Sequence, residues 1–159
     1  MPTRKLTQAE MPVTDRAFYG LVWVAATLTA RVDRALSKAH DLPVSWFEVM
    51  FWLASSPDPV PASVLGNSTM LSRTQVSRAV DALQIRGLVT RTPSPRDARS
   101  VEVSLTPLGH RFFAEADATR RNCLAPVFTD LLDEPDIEAL NAVWAKLKAR
   151  QEPAEGQTD

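Results

Sequence analysis

Six polar side chains within seven consecutive positions are of the types that bind the edges of nucleic-acid bases. They are Ser72, Arg73, Thr74, Gln75, Ser77 and Arg78. Arginine can donate two hydrogen bonds to guanine, glutamine can make a two-point contact with adenine, and a hydroxyl can donate or accept. If one helix carries these side chains, its polar face has the chemistry to read a major groove.

The spacing of neighbouring residues predicts that helix. Ser72 precedes Gln75 by three positions, which is the spacing of a capping box, where each side chain bonds the backbone N–H of the other residue. Gly87 follows at a position where a left-handed residue would end the helix. An apolar stripe recurs at helical spacing on the opposite face and consists of Val76, Ala79, Val80 and Leu83.

A hairpin with a basic tip is predicted directly after this helix. Residues 88–92 read as a strand that ends at the Pro-Ser-Pro run of residues 93–95. Residues 101–105 then alternate apolar and polar side chains, as in a half-buried returning strand. Such a helix and hairpin form a winged helix-turn-helix. Because the other segments are helical, the predicted fold is mainly α with a small β-wing.

The chain resembles the MarR (multiple antibiotic resistance regulator) family of dimeric transcription regulators over residues 14–150. The segments that carry the resemblance are LSRTQVSRAVDALQIRGLVTR and, after it, SPRDARSVEVSLTPLGH. The matching motifs, in chain order, are Ser72-Arg73, Ser77-Arg78, Gly87-Leu88-Val89, Asp97-x-Arg99 and Leu105-Thr106-Pro107-x-Gly109. Several linked motifs in one order are more specific than any one of them.

The resemblance implies a role for each charged residue of the wing tip. Arg99 is expected to enter the minor groove, Asp97 to pair with it and fix its direction, and Arg96 to contact phosphate. A narrow minor groove has a negative potential that favours a guanidinium group, which agrees with this assignment. Many members of the family carry a further arginine where this chain has Ala98, so the wing of this chain lacks one of the family's cationic side chains.

The distribution of charge favours a local DNA-binding surface over a protein that coats nucleic acid. The net charge is −1, but residues 71–100 hold six arginines and two aspartates. The arginines are at positions 73, 78, 86, 91, 96 and 99, and the aspartates at 81 and 97. A basic patch in a neutral chain is the electrostatic footprint of a local nucleic-acid contact. Whether Arg86 and Arg91 face DNA is left open.

Length and composition indicate one globular domain. The chain has 159 residues, of which 45% are hydrophobic, as in ordinary globular proteins. No apolar run approaches the roughly 20 residues that span a bilayer, and residues 1–13 lack the apolar core of a signal peptide. We therefore expect a cytoplasmic protein without a membrane partner. Residues 1–13 read as a loose arm and residues 151–159 as a mobile tail.

Helical periodicity places the remaining elements around the wing. The predicted helices before the wing are residues 14–40, with a cap at Thr14 or Asp15, the apolar residues 44–55, and the short segment 61–69. After the wing, a helix is predicted over residues 107–131 with a kink at Pro126, and a last helix is capped by Asp133 or Asp136. Residues 43–106 would form the winged helix-turn-helix. Residues 14–40 and 107–150 would be the dimerisation helices.

Dimerisation follows from the resemblance and from the surplus of helices. In the family, the first helix and the last two interdigitate with those of a second subunit. A two-fold dimer would place two recognition helices about 34 Å apart on a pseudo-palindromic site in double-stranded DNA. The alternative is that these helices complete the core of a monomer.

A small-molecule effector is the regulatory mode that the resemblance implies. In the family, aromatic or phenolic ligands commonly occupy the crevice between the dimerisation helices and the winged domain. Segments that could line such a crevice supply Trp23, His40, Trp46, Phe51 and Trp52. Aromatic residues at helical spacing are more often core, so each of these is a candidate only. The sequence does not identify the ligand.

Catalytic, metal and cofactor chemistry is not predicted. Two histidines, His40 and His110, and one cysteine, Cys123, are too few for a zinc site, and neither histidine has a partner nearby in sequence. A redox-responsive regulator that uses Cys123 is one alternative, although the family's peroxide sensors place their cysteine in the first helix. The other alternative is a winged domain that binds a protein and not DNA.

Overall fold

The computed structural model describes residues 11–95 and 100–151 and has six α-helices and a small sheet. The helices are α1 (Val13–His40), α2 (Val44–Ser55), α3 (Ala62–Ser68), α4 (Arg73–Ile85), α5 (Pro107–Leu124) and α6 (Glu134–Gln151). The strands are β1 (Val60–Pro61), β2 (Val89–Pro93) and β3 (Val101–Leu105). This order confirms the predicted mainly α fold with a β-wing. The chain divides into two compact units between Cys123 and Leu124.

The sheet has three antiparallel strands in the order β1-β3-β2. Strands β2 and β3 form the predicted hairpin, with Val89 opposite Leu105. Strand β1, which the sequence analysis did not anticipate, pairs Val60 with Val103 on the other edge of β3. The first wing strand ends at the Pro-Ser-Pro run, as predicted, but one residue later than expected, because Pro93 is its last residue and pairs with Val101. A proline can be the last residue of a strand, because it lacks the backbone N–H donor but keeps its carbonyl acceptor.

The core of the first unit lies between α2, the C-terminal part of α1, the two helices of the helix-turn-helix and the sheet. Its fully buried side chains are Leu36, Leu42, Val49, Met50, Leu65, Val80, Leu83 and Val103. The predicted stripe of α4, residues Val76, Ala79, Val80 and Leu83, is buried throughout. Burial of one such side chain contributes about 1.5–3 kcal/mol, so this core fixes where the polar face of α4 points.

Both ends of α4 are formed as the sequence predicts. The Gln75 N–H donates to Ser72 Oγ over 3.3 Å, and the Ser72 N–H donates to Gln75 Oε1 over 2.9 Å. At the other end Gly87 has a φ of 70°, its N–H donates to the Gln84 carbonyl, and the Leu88 N–H donates to the Leu83 carbonyl. These two bonds form a Schellman motif, which requires a left-handed residue at Gly87. The helix therefore begins and ends at defined residues.

Replacement of Ser72 by alanine is expected to lower the free energy of unfolding by about 1 kcal/mol, because one N–H at the start of α4 loses its acceptor. Urea denaturation followed by circular dichroism measures the loss. Ser77→Ala is the matched control, since Ser77 is exposed in the interior of the same helix, where alanine is a better helix former. Equal losses in the two variants would contradict the capping role.

The first and fifth helices differ from the prediction at one end each. Helix α1 begins at Val13 after Pro12, and no side chain caps it, so the proposed caps Thr14 and Asp15 are wrong and lie inside its first turn. Helix α5 does not continue through a kink at Pro126. It ends at Leu124, and a 3₁₀ turn, Ala125–Val127, follows, because proline has no N–H for the helical ladder.

The N-terminal half of α1 is apolar but exposed in the single chain. Its exposed large side chains are Val13, Phe18, Tyr19, Leu21, Val22, Trp23 and Val24, and Trp23 is 65% exposed. Only Val32 and Leu36, in the C-terminal half, are buried. No helix within residues 11–95 and 100–151 is long and apolar enough to cross a membrane. In the single chain, the apolar side chains in the N-terminal half of α1 are thus largely exposed to solvent.

The second unit consists of the 3₁₀ turn and α6. The Asp133 and Asp136 side chains each accept the other's backbone N–H, over 3.0 and 3.3 Å, so Asp133 caps α6 as one of the two predicted options. The large apolar side chains of α6 are also exposed in the single chain. They are Leu140, Val143, Trp144 and Leu147.

Candidate nucleic-acid interface

The exposed face of α4 carries the side chains that are free to contact a base. Successive residues of a helix rotate by about 100°, so Thr74, Arg78 and Asp81 project away from the buried stripe. All three are exposed, and neither Thr74 nor Arg78 has a side-chain hydrogen bond within the described part of the chain. The side chains of Thr74 and Arg78 can therefore form hydrogen bonds with a ligand without breaking a contact within the folded protein.

Gln75 has a structural role that competes with its predicted role as a base contact. Its Oε1 atom accepts the Ser72 N–H, so the carbonyl half of its amide is already used. A two-point contact with adenine needs both the oxygen and the amide nitrogen. Reading of adenine by Gln75 would therefore require the capping box to open. Ser72 is committed to the same box through its hydroxyl.

Arg73 and Ser77 lie toward one side of α4, where they border a cleft that also includes Arg91 of β2. The Arg91 guanidinium donates to Asp81 Oδ1 over 2.6 Å and to Gln84 Oε1 over 2.7 Å. These hydrogen bonds join strand β2 to the polar side of α4. Arg91 and Asp81 were not predicted to belong to the site, since ten positions separate them in sequence and no local pattern links them.

Arg86 is turned toward the interior of the unit and is not part of this face. It donates to the carbonyls of Asp41 and His40 over 2.9 and 3.1 Å. Its guanidinium carbon lies 4.9 Å from the centre of the Phe112 ring, a cation–π distance. The arginine therefore joins the end of α4 to the end of α1 and to α5.

The tip of the wing lies outside the described residues. The predicted contacts of Arg96, Asp97 and Arg99, and the effect of Ala98, therefore stay predictions. The described strands lead to this tip from both sides, and the Ser94 N–H donates to the Ser100 carbonyl over 2.9 Å. Ser94 Oγ also donates to Glu102 Oε1 over 2.8 Å, which closes the base of the hairpin.

Of the five candidate ligand residues, Phe51 and Trp52 are in ring contact with each other. Phe51 and Trp52 meet edge to face with centroids 6.3 Å apart, and Phe51 also packs against Phe113 of α5. Trp52 lines a cleft of about 290 Å³ beside α3. Trp23 lies on the exposed half of α1, and Trp46 is half-buried in α2.

His40 is already satisfied within the fold. Its Nε2 atom lies 2.8 Å from Thr119 Oγ1, and its ring packs edge to face on Phe112. His110 is exposed near the start of α5, as expected of a solvated residue. Cys123 is half-buried, and its thiol donates to the Arg120 carbonyl over 3.2 Å. Each of these contacts accounts for its residue without a ligand.

Comparison with known proteins identifies relatives of this architecture. The model of the MarR family matches residues 40–100. The transcriptional repressor MprA of Escherichia coli K12 is 29% identical over 74% of this chain and 67% of that protein. The transcriptional repressor IacR of Pseudomonas putida is 25% identical over 88% of this chain and 86% of that protein.

A solved structure shares nearly the whole fold. Sco3205, a MarR family transcriptional regulator from Streptomyces coelicolor whose crystal structure contains DNA, matches with a TM-score of 0.82. The match has 22% identity and covers 99% of this chain and 97% of that chain. MprA and IacR are named transcriptional repressors and Sco3205 a transcriptional regulator, which agrees with the predicted class of protein. The match of the family model to residues 40–100, the two relatives and the shared fold agree, and the chain is similar to MarR family transcription regulators.

Proposed function

We propose that the chain is a cytoplasmic, homodimeric transcriptional repressor that binds a pseudo-palindromic site in double-stranded DNA. The observation that carries the proposal is a capped helix, α4, whose exposed face presents Thr74 and Arg78 with no competing contact. A two-stranded wing stands beside this helix. Two relatives, MprA and IacR, are named repressors, and Sco3205 was solved with DNA, which supports the same role here.

The homodimer is supported by the apolar surface that the single chain leaves exposed. Monomeric proteins rarely expose large contiguous apolar patches, and such patches mark interaction sites. The N-terminal half of α1 presents several such side chains in succession, Trp23 among them. A second copy of the chain would bury them and would supply the second recognition helix that a two-fold operator requires.

The effector is proposed to be a small aromatic or phenolic molecule that releases the DNA. Phe51 and Trp52 are the strongest of the five candidate residues, because both are partly exposed and they are in ring contact. Trp23, His40 and Trp46 are retained as weaker candidates. Release would require a difference in affinity between two dimer shapes, in typical cases about 1–3 kcal/mol.

Selection of bound sequences from a random pool of double-stranded DNA tests the proposal. Purified protein should enrich an inverted repeat whose half-sites lie about one helical turn apart. The logarithm of the affinity for the selected site should fall steeply and linearly with the logarithm of salt concentration. Failure to enrich any sequence, or a shallow dependence on salt, would instead favour a winged domain that binds a protein.

Two arginines are expected to differ in how their loss affects binding. Arg78→Ala should cost about 1–3 kcal/mol on the selected site and relax the preference at one base position. Arg99→Ala should weaken binding to every sequence with an A/T-rich flank, because an arginine in a narrow minor groove reads shape. Fluorescence anisotropy on a panel of single-base variants measures both. Equal, small losses would contradict these assignments.

A further inference from the structure

A cleft on one side of the recognition helix collects hydrogen-bond donors from three elements. It has a volume of about 330 Å³ and lies between α3, α4 and β2. The side chains that line it are Ser63, Arg73, Ser77 and Arg91, with Ala62, Val76 and Val80 as apolar lining. No carboxylate belongs to the lining, so the polar part of the cleft consists of two guanidinium groups and two hydroxyls.

Both guanidinium groups retain the capacity to bind an anion. Arg73 has no ion-pair partner within residues 11–95 and 100–151. Arg91 gives one N–H to Asp81 and one to Gln84, and a guanidinium has five donors, so three are unused. The carboxylate of Asp81 also holds Arg91 in place, which lowers the entropy that an anion would have to remove on binding.

We propose that this cleft binds one phosphate group of the DNA backbone between Arg73 and Arg91, with the Ser63 and Ser77 hydroxyls as further donors. The inference rests on the proposed function and deepens it, because it divides the polar residues of α4 into two sets. Arg73 and Ser77 position the duplex through its backbone. Thr74 and Arg78 remain to read the bases.

The geometry of α4 supports this division. Arg73 and Ser77 share the side of the helix that faces α3 and β2, whereas Thr74 and Arg78 project away from the buried stripe. Contacts to phosphate fix the register of a protein on DNA, and contacts to base edges specify the sequence. The buried side chains of Val76 and Val80 keep part of the cleft apolar, which strengthens the attraction between its cations and an anion.

The first experiment compares Arg91→Gln with Arg121→Gln in salt titrations on the selected operator. Arg121 also is an arginine with an aspartate partner, Asp117, but it lies on α5 and its side chain is 66% exposed. Loss of one phosphate contact should reduce the magnitude of the log–log salt slope by about 0.9 and should leave the preferred sequence unchanged. Arg121→Gln should keep the wild-type slope.

A second variant separates phosphate binding from a structural role of the Asp81–Arg91 pair. If Arg91 only braces β2 against α4, Asp81→Asn removes the same brace and should reproduce the behaviour of Arg91→Gln. If Arg91 contacts phosphate, Asp81→Asn keeps that cation and the slope should stay at least as steep as in the wild type. Matching reductions in the two variants, or a changed preference at one base pair with an unchanged slope, would overturn the proposal.

A titration of inorganic phosphate into DNA-free protein, followed by NMR of the arginine side chains, distinguishes a site for a DNA backbone phosphate from a site for a free anion. We expect no saturation at millimolar concentrations, because one backbone phosphate contributes only part of an interface. Saturation below 1 mM, together with normal DNA binding by Arg91→Gln, would overturn the proposal in favour of a site for a free anion. A wild-type protein that selects no DNA would refute the proposed function itself, which is a different result.

Discussion

A Gly109→Ala variant is expected to lose about 3 kcal/mol or more of folding free energy, because a side chain at this position has no room. An added Cβ would lie 1.9 Å from the carbonyl oxygen and 2.9 Å from the carbonyl carbon of Leu88. That carbonyl cannot move easily, since it accepts the Thr106 N–H over 3.0 Å and its residue leads into β2. Urea denaturation followed by far-ultraviolet circular dichroism measures the loss.

Gly66→Ala is the control for the general effect of adding a methyl group. An added Cβ there would lie 3.5 Å from Arg73 Cγ, an ordinary van der Waals distance, and Gly66 is inside α3. Alanine should therefore stabilise the fold by about 0.5–1 kcal/mol through its higher helix propensity. A Gly109→Ala protein as stable as the wild type would show that α5 does not pack against Leu88 at this distance.

The double variant Phe18→Glu/Leu21→Glu is expected to be a monomer and to bind the operator about 10² to 10⁴ times more weakly, because a dimer gains its second half-site contact within one complex. The two side chains are 60% and 55% exposed in the single chain, so charges there disturb little of its core. Sedimentation equilibrium measures the oligomeric state, and anisotropy with operator DNA measures the affinity.

Ser37→Glu provides the control on the same helix, because Ser37 is exposed in the half of α1 that packs on the core. It should remain dimeric and retain its affinity for the operator. If the double variant also stays dimeric, the proposed interface on the N-terminal half of α1 is wrong. If it becomes monomeric and still binds the operator as tightly as the wild type, the two-fold mode of DNA binding is wrong.

The elements that sequence analysis predicted well are those whose signals are local. The capping box of Ser72 and Gln75, the left-handed Gly87 and the apolar stripe of α4 each depend on residues within one helix and its ends. The bounds of α2 match for the same reason, because a proline precedes an apolar run and prolines follow it. Hydrogen bonding and burial along a single helix decide all of these features.

The features that sequence analysis missed depend on contacts between distant segments. Strand β1 has only two residues, which are too few to show the alternation of apolar and polar side chains that predicts a strand. It forms because the edge of β3 has backbone groups available for pairing. The pairing of Arg91 with Asp81 likewise requires the hairpin to fold back beside α4. Gln75 was predicted both to cap α4 and to contact a base. These two roles need the same Oε1 atom, which the structure shows accepting the Ser72 N–H.

The contacts of Arg86 make the C-terminal end of the recognition helix a pivot. That end is attached to the carbonyls at the end of α1, while the N-terminal end carries Thr74 and Arg78. Thirteen residues at about 1.5 Å each give α4 a length of about 20 Å. A tilt of about 10° about Arg86 would displace the far end by about 3.4 Å, which equals the spacing of one base-pair step. If a rotation of α1 is passed to α4 through Arg86, a tilt of this size would shift Thr74 and Arg78 by one base-pair step relative to bound DNA.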